Sequence, residues 1–429
     1  MAFSVGGTEG RSGGDAAEGT VIEGLGIRRS LVESLLLKTL YQLGEASLHE
    51  LSAQLCVSRS VVDAIFQRLR KELMVQAVGM SVGVHRVALT GAGRTRAAEL
   101  LALDSYVGPA PVSLTDYVAR VSDQSVRDME VHPEDVASTF ADLVLDHATL
   151  AQLGTALVSG RAIFLYGPPG TGKTTVAERL SEIIRRDTVW IPYAVEVDGQ
   201  IITVFDSHVH EVVEDDADTG VDPRWVLCRR PRVTVGGELT IDMLDLQFNP
   251  LSRYYTAPVQ MRANNGFLIV DDFGRQRIQP VELLNRWVVP LDRRVDYLSL
   301  AGGKKIQIPF DLFVVFATNL DPALVVEEAF LRRIQTKIRL GSIEAPEFQE
   351  IFRRACENMK LTYDPQDVDE IVSAIATQYG QPLRACYPRD LLNQIVWRAR
   401  YEKIDPVVSR QTLADACGAY FLSRDPSAP

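Results

Sequence analysis

Nine consecutive residues, "GPPGTGKTT" from Gly167 to Thr175, carry the plainest chemistry in this chain. Gly167, Gly172, Lys173 and Thr174 satisfy the spacing G-x-x-x-x-G-K-[ST] of a phosphate-binding loop. Glycines let backbone N–H groups curl around phosphate oxygens, and a helix starting at the end of the loop turns its positive pole toward the anion. The whole stretch, Gly167, Pro168, Pro169, Gly170, Thr171, Gly172, Lys173, Thr174 and Thr175, is therefore the expected ATP-binding segment. Lys173 should reach the β- and γ-phosphates, and the Thr174 hydroxyl should help to hold Mg²⁺. A second stretch, "GFLIVDDFGRQ" (266–276), sets two acids at the end of an apolar run. Adjacent carboxylates repel, and burying them is costly unless a cation or a proton compensates. In phosphate-loop chemistry an acid at the end of a second strand orients Mg²⁺ and its water, which suits Asp271. The next residue prepares the attacking water, which suits Asp272 as general base. The pair predicts Mg²⁺-dependent ATP hydrolysis.

Both stretches need rigid elements behind them. Ala162–Tyr166 is apolar without alternation, as in a strand buried on both faces of a parallel sheet, and Phe267–Val270 reads the same way. After the loop, Val176, Leu180 and Ile183 recur at helical spacing. Strand, glycine loop and helix is the order that phosphate binding requires. With 429 residues, 46% of them hydrophobic, the chain can bury a sizeable core and should form two or three domains. It contains no apolar run of about 18 residues, so no membrane span is expected. The five cysteines are scattered and odd in number, which suits reduced thiols in a cytoplasm. A net charge of −11 argues against a protein coated with nucleic acid, though a local basic patch stays open.

Composition and periodicity divide the chain. Residues 1–25 read as a flexible Gly-rich tail without the layout of a secretory signal. Residues 26–105 read as three helices, a hairpin and a closing helix. Ser47 and Glu50 form a capping box for the second helix, and "VALTGAGRTRAAELL" resembles the closing strand and helix of winged-helix regulators. Between Gly26 and Leu103 ten Lys/Arg face six Asp/Glu, so this part is basic within an acidic chain. It is expected either to bind DNA through the helix beginning near Arg59 or to dock a protein. Residues 106–155 are the expected linker and lead-in helices, 156–342 the nucleotide-binding α/β domain, and 343–429 a helical lid.

From about residue 130 to 424 the chain resembles the AAA+ ATPase superfamily. "DLFVVFATNLDP" is similar to that family's sensor 1, with Asn319 placing the attacking water. "EEAFLRRIQTKI" resembles its arginine-finger region, so Arg332 or Arg333 would reach the γ-phosphate of a neighbouring subunit. "CYPRDLLNQIVWRA" resembles sensor 2, with Arg389 at the start of a lid helix. Four helical stretches near 346–359, 366–379, 388–402 and 409–423 suit the family's lid. The segment between the acid pair and sensor 1 reads as a helix and a hairpin turning at Gly302-Gly303, like the pore-lining hairpin of MoxR-like and related AAA+ chaperones. The resemblance thus implies an α/β phosphate-loop NTPase: a parallel sheet flanked by helices, a C-terminal helical lid and an N-terminal winged helix. It implies a homo-oligomer, as a hexamer, that couples ATP hydrolysis to remodelling a protein client. The alternatives are an ATP-regulated DNA-binding protein and a slowly hydrolysing switch. Asp272 stands where the family usually has Glu, one methylene longer, so water must approach closer or turn over slowly. A second hairpin turns at Asp198-Gly199, a type I′ signal, as a partner element or an exposed decoration. Asp206, His208 and His210 alternate in "DSHVH" and could share one face of a strand as metal ligands.

Overall fold

The computed structural model describes residues 24–81, 84–214, 220–325 and 327–421. The expected tail up to residue 23, the expected tip of the first hairpin at 82–83 and residues 215–219 lie outside the described residues. Among the described residues no helix is long and apolar enough to cross a membrane.

The central sheet has five parallel strands in the spatial order Arg232–Val235, Phe267–Val270, Phe313–Thr318, Ile163–Tyr166 and Thr336–Arg339. Side chains alternate between two cores, as a strand's period of two requires. Ile163, Leu165, Phe267, Ile269, Phe313 and Val315 pack on the helix Lys173–Ile184 and on Val136, Leu153 and Leu157. Phe164, Leu268, Val270, Val314 and Phe316 face the opposite layer, built on Leu283, Leu284 and the fully buried Trp287. Every residue of Phe267–Val270 is buried, which is why this strand shows no polar alternation.

A second, five-stranded sheet runs in the order Gln247–Phe248, Tyr255–Thr256, Gln200–Thr203, Ala194–Val197, Val112–Ser113. Its middle is the hairpin that turns at Asp198 and Gly199, both left-handed at φ 54° and 84°. That hairpin is a structural member of the molecule. The later hairpin, Val295–Ser299 with Lys305–Pro309, sends Leu298, Ile306 and Ile308 into the same core, beside Tyr117, Val195 and Ile202. At the two tips Lys304 pairs with Asp198. Residues 106–155 do more than connect. Val112–Ser113 pairs with Ala194–Val197, the helix Leu114–Asp123 buries Tyr117 and Val121, and the helices Pro133–Thr139 and His147–Ser159 help to cover the central sheet.

Toward the N-terminus, the helices Arg29–Leu43, Leu48–Leu55 and Arg59–Lys71 pack with an antiparallel sheet in the order Glu45–Ser47, Val84–Leu89, Val75–Ser81, closed by the helix Gly91–Leu103. Ser47 accepts from the Glu50 N–H at 3.1 Å, and Glu50 accepts from the Ser47 N–H at 2.6 Å, completing the capping box. Lys38 is wholly buried and donates to Asp104 at 2.6 Å. This core also takes in Ala194 and Ile201 from the second sheet, and the Ala110 N–H bonds to the Leu55 carbonyl at 2.8 Å. The last four helices, Ala345–Met359, Pro365–Thr377, Tyr387–Glu402 and Arg410–Tyr420, enclose their own core around Phe348, Phe352, Leu391, Leu392 and Leu413.

Candidate active site

Three neighbouring strands of the central sheet deliver the site. Ile163–Tyr166 leads into the glycine loop, Phe267–Val270 into Asp271 and Asp272, and Phe313–Thr318 into Asn319. The register sets Val270 opposite Phe316 and Thr318 opposite Tyr166, so the polar residues emerge at one end of the sheet. The Thr174 hydroxyl donates to Asp271 Oδ2 at 2.9 Å, although 97 residues separate the two. Asn319 Nδ2 donates to Asp272 Oδ1 at 3.0 Å. The loop hydroxyl, the acid pair and the sensor amide expected from the sequence thus meet in one place.

The acid turn is tightly made. Asp272 takes the left-handed conformation at φ 48°, and its N–H donates to Asp271 Oδ1 at 2.9 Å. Gln276 braces the turn, donating to the Asp271 carbonyl at 2.7 Å and accepting from the Gly274 N–H at 2.8 Å. Thr318 donates to the Phe273 carbonyl at 2.7 Å, tying the acid turn to the neighbouring strand. Asp271 is half-buried, whereas Asp272 and Thr174 are exposed to whatever enters the site.

Lys173 is 7% exposed and folds back on its own loop, donating to the Gly167 carbonyl at 3.0 Å and to that of Pro168 at 2.7 Å. Burial draws its ammonium below the usual lysine value; Asp271 and Asp272 oppose that shift, and the nearby Arg384 adds to it. Thr171 also donates to the Pro168 carbonyl, at 3.0 Å. The loop needs its glycines here. A Cβ on Gly167 would sit 2.0 Å from the Leu340 carbonyl oxygen, and one on Gly170 (φ 79°) would sit 2.5 Å from Cys386 Sγ.

The arginines distribute unevenly. Arg389 is exposed on the helix Tyr387–Glu402. The lid touches the loop through the segment before that helix, where Arg384 Nη1 donates to the Pro169 carbonyl at 3.3 Å and the Cys386 N–H to that of Gly170 at 3.1 Å. Arg384 and Gln276 escaped the sequence reading. The only signal for Arg384 was a cation five residues before Arg389 in "PLRACYPRD", and for Gln276 its place three residues beyond Phe273 in the acid turn. Arg332 is exposed, and Arg333 pairs with Asp292 at 2.9 Å; both line a cavity with Arg161, Leu291 and Gln335.

The proposed metal face at 206–210 needs correcting. These residues form a turn, closed by the His210 N–H on the Asp206 carbonyl at 2.8 Å, so no strand aligns their side chains. Both ring nitrogens of the buried His210 are engaged by backbone, Nδ1 by the Asp206 N–H and Nε2 by the Arg262 carbonyl, each at 2.9 Å. Burial holds its pKa below the ordinary histidine value. Asp206 is paired with Arg262 at 2.8 Å.

Comparison with known proteins places two segments. Residues 162–194, from the first strand of the site through the loop helix, match the AAA domain of the dynein-related subfamily. Residues 344–419, almost the whole C-terminal helical bundle, match a domain of unknown function, DUF8689. No curated protein matches the chain. Among solved structures, a RuvB variant from Thermotoga maritima is 13% identical, with 69% of this chain and 72% of that one covered and a TM-score of 0.38. NtrX from Brucella abortus, in complex with ATP, is 15% identical over 68% of this chain and 58% of that one, also at 0.38. A further RuvB from Thermotoga maritima, described as a Holliday junction branch migration motor, is 14% identical over 64% and 70%, at 0.37. Likenesses this slight carry no argument. The AAA-domain match, the parallel sheet flanked by helices and the C-terminal helices give the chain an AAA+ phosphate-loop fold, and the matched loop supports nucleotide binding.

Proposed function

We propose that this chain hydrolyses ATP with Mg²⁺ at the site formed by the glycine loop, Asp271, Asp272 and Asn319. One observation carries the reading: Thr174–Asp271 and Asp272–Asn319 are joined by hydrogen bonds of 2.9 and 3.0 Å that bring together three separate chain segments. The donor set fits the cation, since a hydroxyl and a carboxylate are the hard oxygen ligands that Mg²⁺ takes beside phosphates. Bound between Thr174, Asp271 and the nucleotide, the metal would supply positive charge to the phosphate oxygens. Lys173 would leave the Gly167 and Pro168 carbonyls for the phosphates, exchanging two neutral acceptors for charged ones. Asp272, held in place by the Asn319 amide, would accept the proton of the attacking water as its oxygen bonds to the γ-phosphorus and the β–γ bridge breaks. Steady-state turnover tests this assignment. Asp272→Asn should keep nucleotide binding and lose about 10²-fold or more in turnover, the scale of a general base; equal turnover would reject the role.

The wider role we propose is a homo-oligomer, a hexamer in the likeness of its superfamily, that spends hydrolysis on remodelling a protein client in the cytoplasm. Arg332 or Arg333 would then complete the neighbouring subunit's site, and Arg389 would face the nucleotide from the lid. A DNA-linked reading has one specific support. If residues 26–105 act as a winged helix, Arg59 and Arg70 are both exposed, about three turns apart on one face of the helix Arg59–Lys71. Duplex binding by the full chain, falling steeply with salt and weakened by Arg59→Ala with Arg70→Ala, would favour that reading.

A further inference from the structure

Four consecutive carbonyls of the phosphate loop all accept hydrogen bonds. Lys173 Nζ takes those of Gly167 and Pro168, Arg384 takes that of Pro169, and the Cys386 N–H takes that of Gly170. Two of the four carbonyls are thus met from the lid. The approach is close: Gly170 leaves no room for a Cβ beneath Cys386 Sγ, and the segment carrying Arg384 is anchored by the Ile343 N–H on the Leu383 carbonyl at 3.0 Å.

The Arg384 guanidinium is poorly satisfied there. Its bond to Pro169 is long, at 3.3 Å, and its Nε is buried without a hydrogen-bond partner. Its other contact is the ring of Tyr387, 5.7 Å from the ring centroid. A buried donor left unmade is unfavourable, and planar guanidinium donors match phosphate oxygens in pairs. Arg384 also stands close enough to Lys173 for the two positive charges to disfavour each other. An anion between them would remove that repulsion and supply the missing acceptors.

We infer that Arg384 is a phosphate-binding residue of the lid, held on the Pro169 carbonyl until the polyphosphate of a nucleotide draws it in. It is a different residue from Arg389, which carries the resemblance to sensor 2 and lies exposed on the following helix. On binding, the guanidinium exchanges one neutral acceptor for phosphate oxygens, and the lid segment 383–386 follows because it is tied to the loop at Gly170. The group recognised is a di- or triphosphate, because the loop lysine beside Arg384 takes the β- and γ-phosphates, which a monophosphate lacks. This inference rests on the reading of the loop as a nucleotide site.

The test compares the full-length wild type, Arg384→Ala and Arg384→Lys by titration with ATP, ADP and AMP and by thermal unfolding with and without ATP. We expect Arg384→Ala to bind ATP and ADP about tenfold more weakly or worse, the scale of a lost charge-assisted hydrogen bond, with AMP affinity unchanged. Its ATP-induced rise in Tm should shrink in step. Arg384→Lys should recover part of the loss, because it restores the charge without the fork. If Arg384→Ala also lowers Tm without nucleotide, the ATP-to-AMP affinity ratio decides, since a merely structural loss moves both. Equal ATP affinity in wild type and Arg384→Ala, or an equal loss for ATP and AMP, overturns the inference while nucleotide binding stands. A wild type that binds no nucleotide overturns the site reading and this inference with it.

Discussion

Asp271 and Asp272 show how neighbouring acids acquire different tasks. Asp271 directly follows the strand, is half-buried and accepts from Thr174; Asp272 turns left-handed, is exposed and accepts from Asn319. The backbone reversal between them separates two carboxylates that would otherwise compete for one position. The same scale explains Gly170. Gly170→Ala would place a methyl 2.5 Å from Cys386 Sγ at φ 79°, so two separable penalties arise. Forcing the left-handed conformation on Ala costs about 1–2 kcal/mol, and the clash adds to it. We expect Gly170→Ala to weaken ATP binding, and Gly170→Ala with Cys386→Ala to recover the part due to the sulfur. Calorimetric titration of the single and double variants checks this; a double variant no better than the single one would mean that backbone strain is the whole effect.

At the scale of elements, legibility followed locality. The Ser47–Glu50 box, the Asp198-Gly199 turn and the unbroken apolar runs at 163–166, 267–270 and 313–316 are each readable within a few residues, because the forces that make them act within a few residues. The second sheet was not readable. Val112–Ser113 and Tyr255–Thr256 are two-residue strands with no periodicity, and they pair with Ala194–Val197 and Gln200–Thr203 across long stretches of chain. Lys38 escaped for a related reason: a lysine inside a Leu-rich helix reads as a solvated face until its partner Asp104, 66 residues away, is brought to it. Side-chain exposure within this pair is 0% for Lys38 and 26% for Asp104, which sets an asymmetry. Asp104→Ala should cost about 3 kcal/mol or more, because it strands a buried charge. Lys38→Met should cost much less, because Asp104 keeps access to water. Urea unfolding of the full chain ranks the two, and the reverse order would refute the argument.

The whole molecule raises the question of whether a site is complete in one chain. Arg332 and Arg333 line a cavity with Arg161, Leu291 and Gln335 rather than with the glycine loop. If subunits share sites, mixing Arg333→Ala, whose loop is intact, with Lys173→Ala, whose finger is intact, should restore turnover that neither has alone. A lost arginine finger removes about 10³–10⁵ in rate, so recovery would be visible even in a slow enzyme. Repeating the mixture with Arg332→Ala identifies which arginine crosses. Mixed assemblies that form and stay inactive in both mixtures would reject shared sites.

The N-terminal core closes over Ala194 and Ile201, two residues that belong to the hairpin of the second sheet. That overlap has an evolutionary consequence. An N-terminal domain whose core borrows side chains from the second sheet cannot be exchanged as a cassette, because a new domain would meet the wrong surface at the hairpin. Descendants of this chain that enlarge Ala194 or shorten Ile201 should therefore carry compensating changes of opposite volume among the residues of the N-terminal core that share it. Lineages that replace the domain altogether should have rebuilt residues 194–203 in the same step.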